Sequence, residues 1–278
     1  MGSKKVVLIG VDGATWKFIE PWIKNNKLKG LKKMVLGGAR ADLESTVPPI
    51  SPSAWTSIFT GTDPGKHNIF GFVKRKKDSY FVTPISSFDR KTTPVWKLIS
   101  DHGKRCVLIN IPFAYPPDEI NGIMTTGLGT PSKSSEFCYP KSFRKILLKK
   151  FPEYDVDFNE DLIEFGLDKT PVQHIKTITN EQIRLAKKLF KSESWDLFSI
   201  VFRSTDVIQH YYWNDEKVIL DCYQQLDAFI DWVSEKLDKD TYLIICSDHG
   251  FSNVHTSIYI NNYQAKRICC YHGTFRIW

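Results

Sequence analysis

The sequence predicts an α/β fold in three layers, with helices on both faces of a mainly parallel central sheet. Three observations carry this: β-branched apolar runs recur along the chain, amphipathic helical segments alternate with them, and several of the runs end at Asp or His. Residues 6–11 form the first run, closing on Asp12-Gly13, and residues 15–26 follow with apolar side chains at helical intervals. The pattern returns as a helix over 93–101 with a strand over 105–111, then as a helix over 180–190 with a strand over 197–202. A long helix over 214–237 leads into a last strand over 242–246. On such sheets ligands gather at the carboxyl ends of the strands. Residues 113–168 differ, being rich in Pro, Gly, Ser and aromatics with turn signals at Tyr115-Pro116-Pro117 and Gly127-Leu128-Gly129. They read as an insertion or lid within one domain spanning 1–278.

The 278 residues are 42% hydrophobic and 25% charged, the composition of a globular chain long enough to bury a large core. The formal charge of +7 favours phosphate-bearing ligands. Lys and Arg lie in short clusters such as 74–77 and 149–150, without a recognition motif, so no specific nucleic-acid partner is expected. Cys106, Cys138, Cys222, Cys246, Cys269 and Cys270 show no C-x-x-C spacing and read as free thiols in a reducing compartment. The apolar run after Lys4-Lys5 is too short for a signal peptide, and no stretch approaches the roughly 20 apolar residues of a membrane span. The expectation is a soluble, cytoplasmic protein without a membrane partner; oligomeric state has no signal in the sequence.

Asp12 follows the first strand, Asp206 lies just beyond the 197–202 strand, and Ser247-Asp248-His249 follows the last. One Asp after a strand is commonly a cap or turn former. Several carboxylates and imidazoles at one sheet edge instead fit a divalent cation, which needs oxygen and nitrogen donors converging on a point. Asp206 and His210 are four apart, so on a helix they share a face. Ser51 before Pro52 reads as a helix N-cap with proline in the first helical position. The same geometry would serve chemistry, because a helix N-terminus offers N–H groups and a positive dipole to a phosphoryl oxygen. A neighbouring metal would lower the hydroxyl pKa. Ser53, Thr56 and Ser57 are rivals, but their hydroxyls lie within the helix.

Together V-L-I-G-V-D-G-A-T-W, S-T-V-P-P-I-S-P-S-A-W-T-S-I-F-T-G-T-D-P-G-K-H-N-I-F-G-F, N-I-P-F-A-Y-P-P and I-I-C-S-D-H-G-F resemble the type I phosphodiesterase/nucleotide pyrophosphatase family of the alkaline-phosphatase superfamily. The resemblance runs over residues 6–262 and implies an alkaline-phosphatase-like fold. It also implies two divalent metal ions, zinc or else manganese or another divalent ion. Asp12, Ser51, Asp248 and His249 would surround one, with Asp206 and His210 on the second. The implied activity is hydrolysis of a phosphodiester or nucleotide pyrophosphate bond in a small phosphorylated substrate such as a nucleotide, through a Ser51 phosphoenzyme. Sulfatases share the superfamily fold but place Cys or Ser two residues before a Pro and Arg two after it, where this chain has Ile50 and Ala54. Phosphomonoesterase or phosphoglycerate-mutase-like chemistry stays open as an alternative.

The family pattern also calls for a later histidine, usually preceded by Gly-Thr, as third ligand of the second metal. The sequence ends at Trp278, 29 residues past His249; the family-like phrase over 257–262 reads as cut off in mid-course, and residues 264–278 show no clear period and a rare Cys-Cys pair. His255 and His272 are the candidates for that ligand. Without one, the alternative is a non-catalytic metal- or phosphate-binding protein. Asn110 and Tyr115 are candidate substrate contacts, and His67 reads as structural.

Overall fold

A computed structural model describes residues 4–159, 170–254 and 256 of the chain. The first strand, β1 (Lys5–Val11), leads into helices α1 (Trp16–Lys24), α2 (Lys29–Gly37), α3 (Ser51–Thr60) and the short α4 (Pro64–His67). A two-stranded ribbon of β2 (Val73–Arg75) and β3 (Val82–Pro84) precedes α5 (Val95–Asp101) and β4 (Cys106–Ile111). Then come β5 (Gly122–Thr126), β6 (Cys138–Tyr139), α6 (Lys141–Lys150) and α7 (Thr170–Ser192). The last part comprises β7 (Leu197–Phe202), α8 (Ser204–Tyr212), α9 (Glu216–Ser234) and β8 (Thr241–Cys246).

The main sheet has the order β6-β5-β4-β7-β1-β8. All neighbours are parallel except β5 and β6, which run antiparallel. Every residue of β4 and β7 is buried, which is why these strands read as unbroken apolar runs. Helices cover both faces, and the alternation of β1 assigns each side chain to one of them. Val7, Ile9 and Val11 face a core built with Phe198, Ile200 and Phe202 of β7, Leu185 and Leu189 of α7, and Leu226, Phe229 and Ile230 of α9. Val6 and Leu8 face the other core, with Trp55 and Phe59 of α3, Trp96 of α5 and Leu108 of β4. Each fully buried residue of Leu or Phe size contributes about 1.5–3 kcal/mol over its exposed state. The expected three-layer α/β architecture is therefore present.

One boundary shifts, and part of the expected insertion carries sheet and core. The helix expected over 180–190 runs from Thr170 to Ser192. The described part of 113–168, expected as an insertion or lid, supplies β5 and β6 to the main sheet, and Phe137, Leu147 and Tyr154 to the core. Its Pro and Gly residues bound short strands, which the composition disguised as loop. Cys106, Cys138, Cys222 and Cys246 are free thiols. Among the described residues no helix is long and apolar enough to cross a membrane.

Candidate active site

Strands β7, β1 and β8 are adjacent, and their carboxyl ends are level: Val11 pairs with Phe202 and Gly10 with Cys246. The Asp12 N–H donates to Phe202 O at 2.9 Å, carrying the pairing one residue past β1. Register alone therefore brings the residues after these three strands to one edge. Gly13, at φ +64°, turns the chain there, and its N–H donates to Asp248 Oδ1 at 3.2 Å. A Cβ on Gly13 would meet Asp206 Oδ1 at 3.1 Å, so the turn lies between Asp248 and Asp206.

The nucleophile candidate comes from the facing helix. Ser51 is the first residue of α3 and Ile50 is its N-cap, with no side-chain capping bond. The expectation that Ser51 caps the helix is thus corrected by one position. The correction has a physical reason: the hydroxyl turns away from the helix toward the strand ends. Ser51 Oγ lies 3.4 Å from Asp12 Oδ1 and 3.1 Å from His249 Nε2. His249 Nε2 is in turn 3.6 Å from Asp12 Oδ1 and 3.4 Å from Asp248 Oδ2. Four of the expected residues thus meet. Asp206 and His210 share one face of α8, with Oδ1 and Nε2 3.4 Å apart.

A divalent cation fits the first cluster. Asp12, Asp248 and His249 each present a ligand atom, all within 4.8 Å of one another. Asp248 Oδ2 is buried and has no hydrogen-bond partner among the described residues. Buried carboxylate oxygens are ordinarily hydrogen-bonded, paired or on a metal. His249 Nδ1 lies 2.9 Å from Gly250 O, and because a carbonyl only accepts, Nδ1 carries a proton, while Nε2 is the ring nitrogen turned toward the cluster. Burial pushes the Asp12 carboxyl well above the usual carboxylate range, reinforced by the charges of Asp248 and Asp206. Burial likewise raises Asp248. For Asp206, burial pushes upward too, but the hydrogen bond and charge of His210, with Arg203 and His249, hold it below its ordinary value.

Several supporting residues were not anticipated. The Trp55 indole N–H donates to Asp12 Oδ2 at 2.8 Å, leaving Oδ1 toward Ser51 and His249. This approach requires Gly10, where a Cβ would stand 2.4 Å from the Trp55 ring. A glycine inside a strand was the available signal, since it marks a close approach. Thr205 Oγ1 donates to Asp12 O at 2.6 Å, and Gln209 Nε2 to Gly13 O at 2.8 Å, tying α8 to the β1 turn. Ser45 Oγ donates to Asp248 O at 2.6 Å. Ser247 Oγ accepts from Ala14 N at 2.9 Å and donates to His249 O at 2.7 Å.

Of the other expected residues, Asn110, Tyr115 and His67 are described. Asn110 is buried, with its amide donating to Val201 O at 3.0 Å, so its donor joins β4 to β7. Tyr115 is half-buried, and its carbonyl accepts from Ser87 N at 2.7 Å. His67 is buried between Ser57 Oγ at 3.0 Å and the Ile69 N–H at 3.1 Å, a structural position. His255 and His272 lie outside the described residues.

A family model for type I phosphodiesterase / nucleotide pyrophosphatase matches residues 6–270. Among solved structures, the phosphonoacetate hydrolase of Sinorhizobium meliloti 1021 in complex with phosphonoformate superposes with a TM-score of 0.66 at 14% identity, covering 95% of this chain and 62% of that one. Murine ectonucleotide pyrophosphatase/phosphodiesterase 5 superposes with a TM-score of 0.55 at 12% identity, covering 89% and 57%. GPI ethanolamine phosphate transferase 3 of Saccharomyces cerevisiae is 29% identical over 90 residues, 32% of this chain and 9% of that protein. The chain thus spans about three-fifths of the length of the solved structures it resembles, and less of the yeast protein.

Proposed function

The chain belongs to the type I phosphodiesterase/nucleotide pyrophosphatase family, and from that premise we propose that it is a metal-dependent phosphoric ester hydrolase using Ser51 as nucleophile. The observation that carries this reading is the convergence of Ser51 Oγ, Asp12, Asp248 and His249 at one sheet edge, with a buried Asp248 oxygen lacking a hydrogen-bond partner. Its substrate would be a small phosphodiester or nucleotide pyrophosphate. Phosphonoformate in the bacterial structure, and AMP in a murine one, support ligands of that size and charge.

Asp12, Asp248 and His249, with Ser51, would hold one divalent ion, zinc or manganese, and Asp206 with His210 a second. Ions held there would supply positive charge to the Ser51 oxygen and to the phosphoryl group. The remaining work belongs to the chain. The first turn of α3 offers N–H groups without carbonyl partners in the helix to a phosphoryl oxygen. Trp55 fixes which oxygen of Asp12 faces Ser51. Ser51 Oγ, having released its proton to solvent, attacks phosphorus; the bond to the leaving oxygen breaks, that oxygen takes up a proton from solvent, and a phosphoseryl intermediate forms. Water then attacks the phosphorus from the opposite side and gives up a proton; the bond from phosphorus to Ser51 Oγ breaks, Oγ takes up a proton to regenerate the hydroxyl, and the phosphoryl product leaves.

The test is cleavage of an aryl phosphodiester and of the matching monoester, with zinc or manganese and with a chelator. Cleavage of the diester that the chelator abolishes is expected. A preference for the monoester would redirect the reading to phosphomonoesterase or mutase chemistry, and no cleavage with either ion would favour a binding protein.

A further inference from the structure

We propose that the β2–β3 ribbon is a docking element for anionic phospholipid surfaces. Residues 72–84 are exposed except for Ser79, which is half-buried, and all residues of both strands are exposed. The ribbon is therefore uncovered on both faces and at its tip among the described residues. Its side chains are not those of a solvated hairpin: Tyr80 is 86% exposed, Phe81 78%, Val82 57% and Val73 50%. An exposed apolar cluster of this kind marks a binding surface.

Charge identifies what it would bind. Lys74, Arg75, Lys76 and Lys77 are consecutive, and the acidic groups beside them are Asp78 in the turn and Asp89, which pairs with Lys74. Lys76 and Lys77 have no ion-pair partner among the described residues. The Arg75 guanidinium stands 5.4 Å over the Tyr80 ring, and its Nε donates to Ser79 O at 2.7 Å, placing cation and aromatic at the same end of the ribbon. Cations mixed with exposed aromatic and β-branched side chains suit the interface of an anionic bilayer, where rings enter the headgroup region and lysines meet lipid charge. A polyanion such as RNA would use the lysines and stack bases on Tyr80 or Phe81, but would leave the aliphatic Val73 and Val82 in water.

The ribbon stands on a fixed base. Ile85 N donates to Phe72 O at 3.0 Å, the Phe72 and Phe113 rings meet edge to face at 5.5 Å, and Ser53 Oγ donates to Ile69 O at 3.0 Å. Both strands are edges, so unpaired backbone groups keep the tip at the headgroup boundary and out of the hydrocarbon. Adsorption of this type is distinct from spanning, and it makes no use of the phosphoester chemistry proposed above.

The experiment is co-sedimentation of the full chain with vesicles of phosphatidylcholine alone and of phosphatidylcholine with phosphatidylglycerol, read without phosphoester substrate. Expected is binding about tenfold or more stronger to the anionic vesicles, falling as salt rises. The pair K76E/K77E and, independently, the pair Y80S/F81S should each weaken it by about tenfold or more, with the melting temperature unchanged. Equal binding to both vesicle types, undiminished binding by either folded variant, or no vesicle binding, as a protein or RNA target would give, overturns the proposal.

Discussion

Asp12 is where residue-level packing meets the proposed chemistry. Its carboxyl is fully buried, and Trp55 takes one oxygen while the other faces Ser51 and His249. Trp55→Phe keeps most of the ring and removes only the donor, so divalent-ion affinity measured by chelator competition should weaken by about tenfold. Unchanged affinity would show that the indole merely packs. Gly10→Ala acts through the same contact: a Cβ 2.4 Å from the ring must displace it, and destabilisation of about 1–3 kcal/mol in urea melts is expected. The ligand candidates were legible in the sequence because a carboxylate after an apolar run stands out. Trp55 was not, since a Trp within a helix ordinarily means core, and here it serves both roles.

Among the elements, α3 shows how a short helix is held in place at both ends. Its C-terminal part is pinned by His67, whose Nε2 meets Ser57 Oγ and whose Nδ1 accepts from the Ile69 N–H. Burial pushes the His67 pKa below its ordinary 6.5. A folded-state pKa below the unfolded one means that the unfolded chain binds the proton more readily, so stability is full above pH 6.5 and is lost as pH falls through the lower folded value. Thermal melts between about pH 5 and 8 should show that loss, and His67→Gln should flatten it. Strands β1, β4, β7 and β8 were readable because parallel strands covered on both faces, or at their core-facing residues, are continuous apolar runs. The two-residue β6 and the ribbon β2–β3 were not, being too short to show a period and, in the ribbon, exposed on both sides.

For the whole molecule, the family match and the sheet order support a single frame in which β7, β1 and β8 present their ends together. The sequence could not register those strands against one another; that level alignment is a long-range property of pairing. If both clusters hold ions, metal analysis should return about two tightly bound divalent equivalents, falling to about one in Asp206→Asn. One equivalent in the unaltered chain would confine binding to Asp12, Asp248 and His249. The central claim is that Ser51 is the attacking group at that cluster. Its most direct test compares metal-dependent cleavage of an aryl phosphodiester by the unaltered chain and by Ser51→Ala, with folding checked by circular dichroism. The account predicts a loss of about a thousandfold or more in the variant, whereas a full metal-dependent rate in folded Ser51→Ala would contradict it.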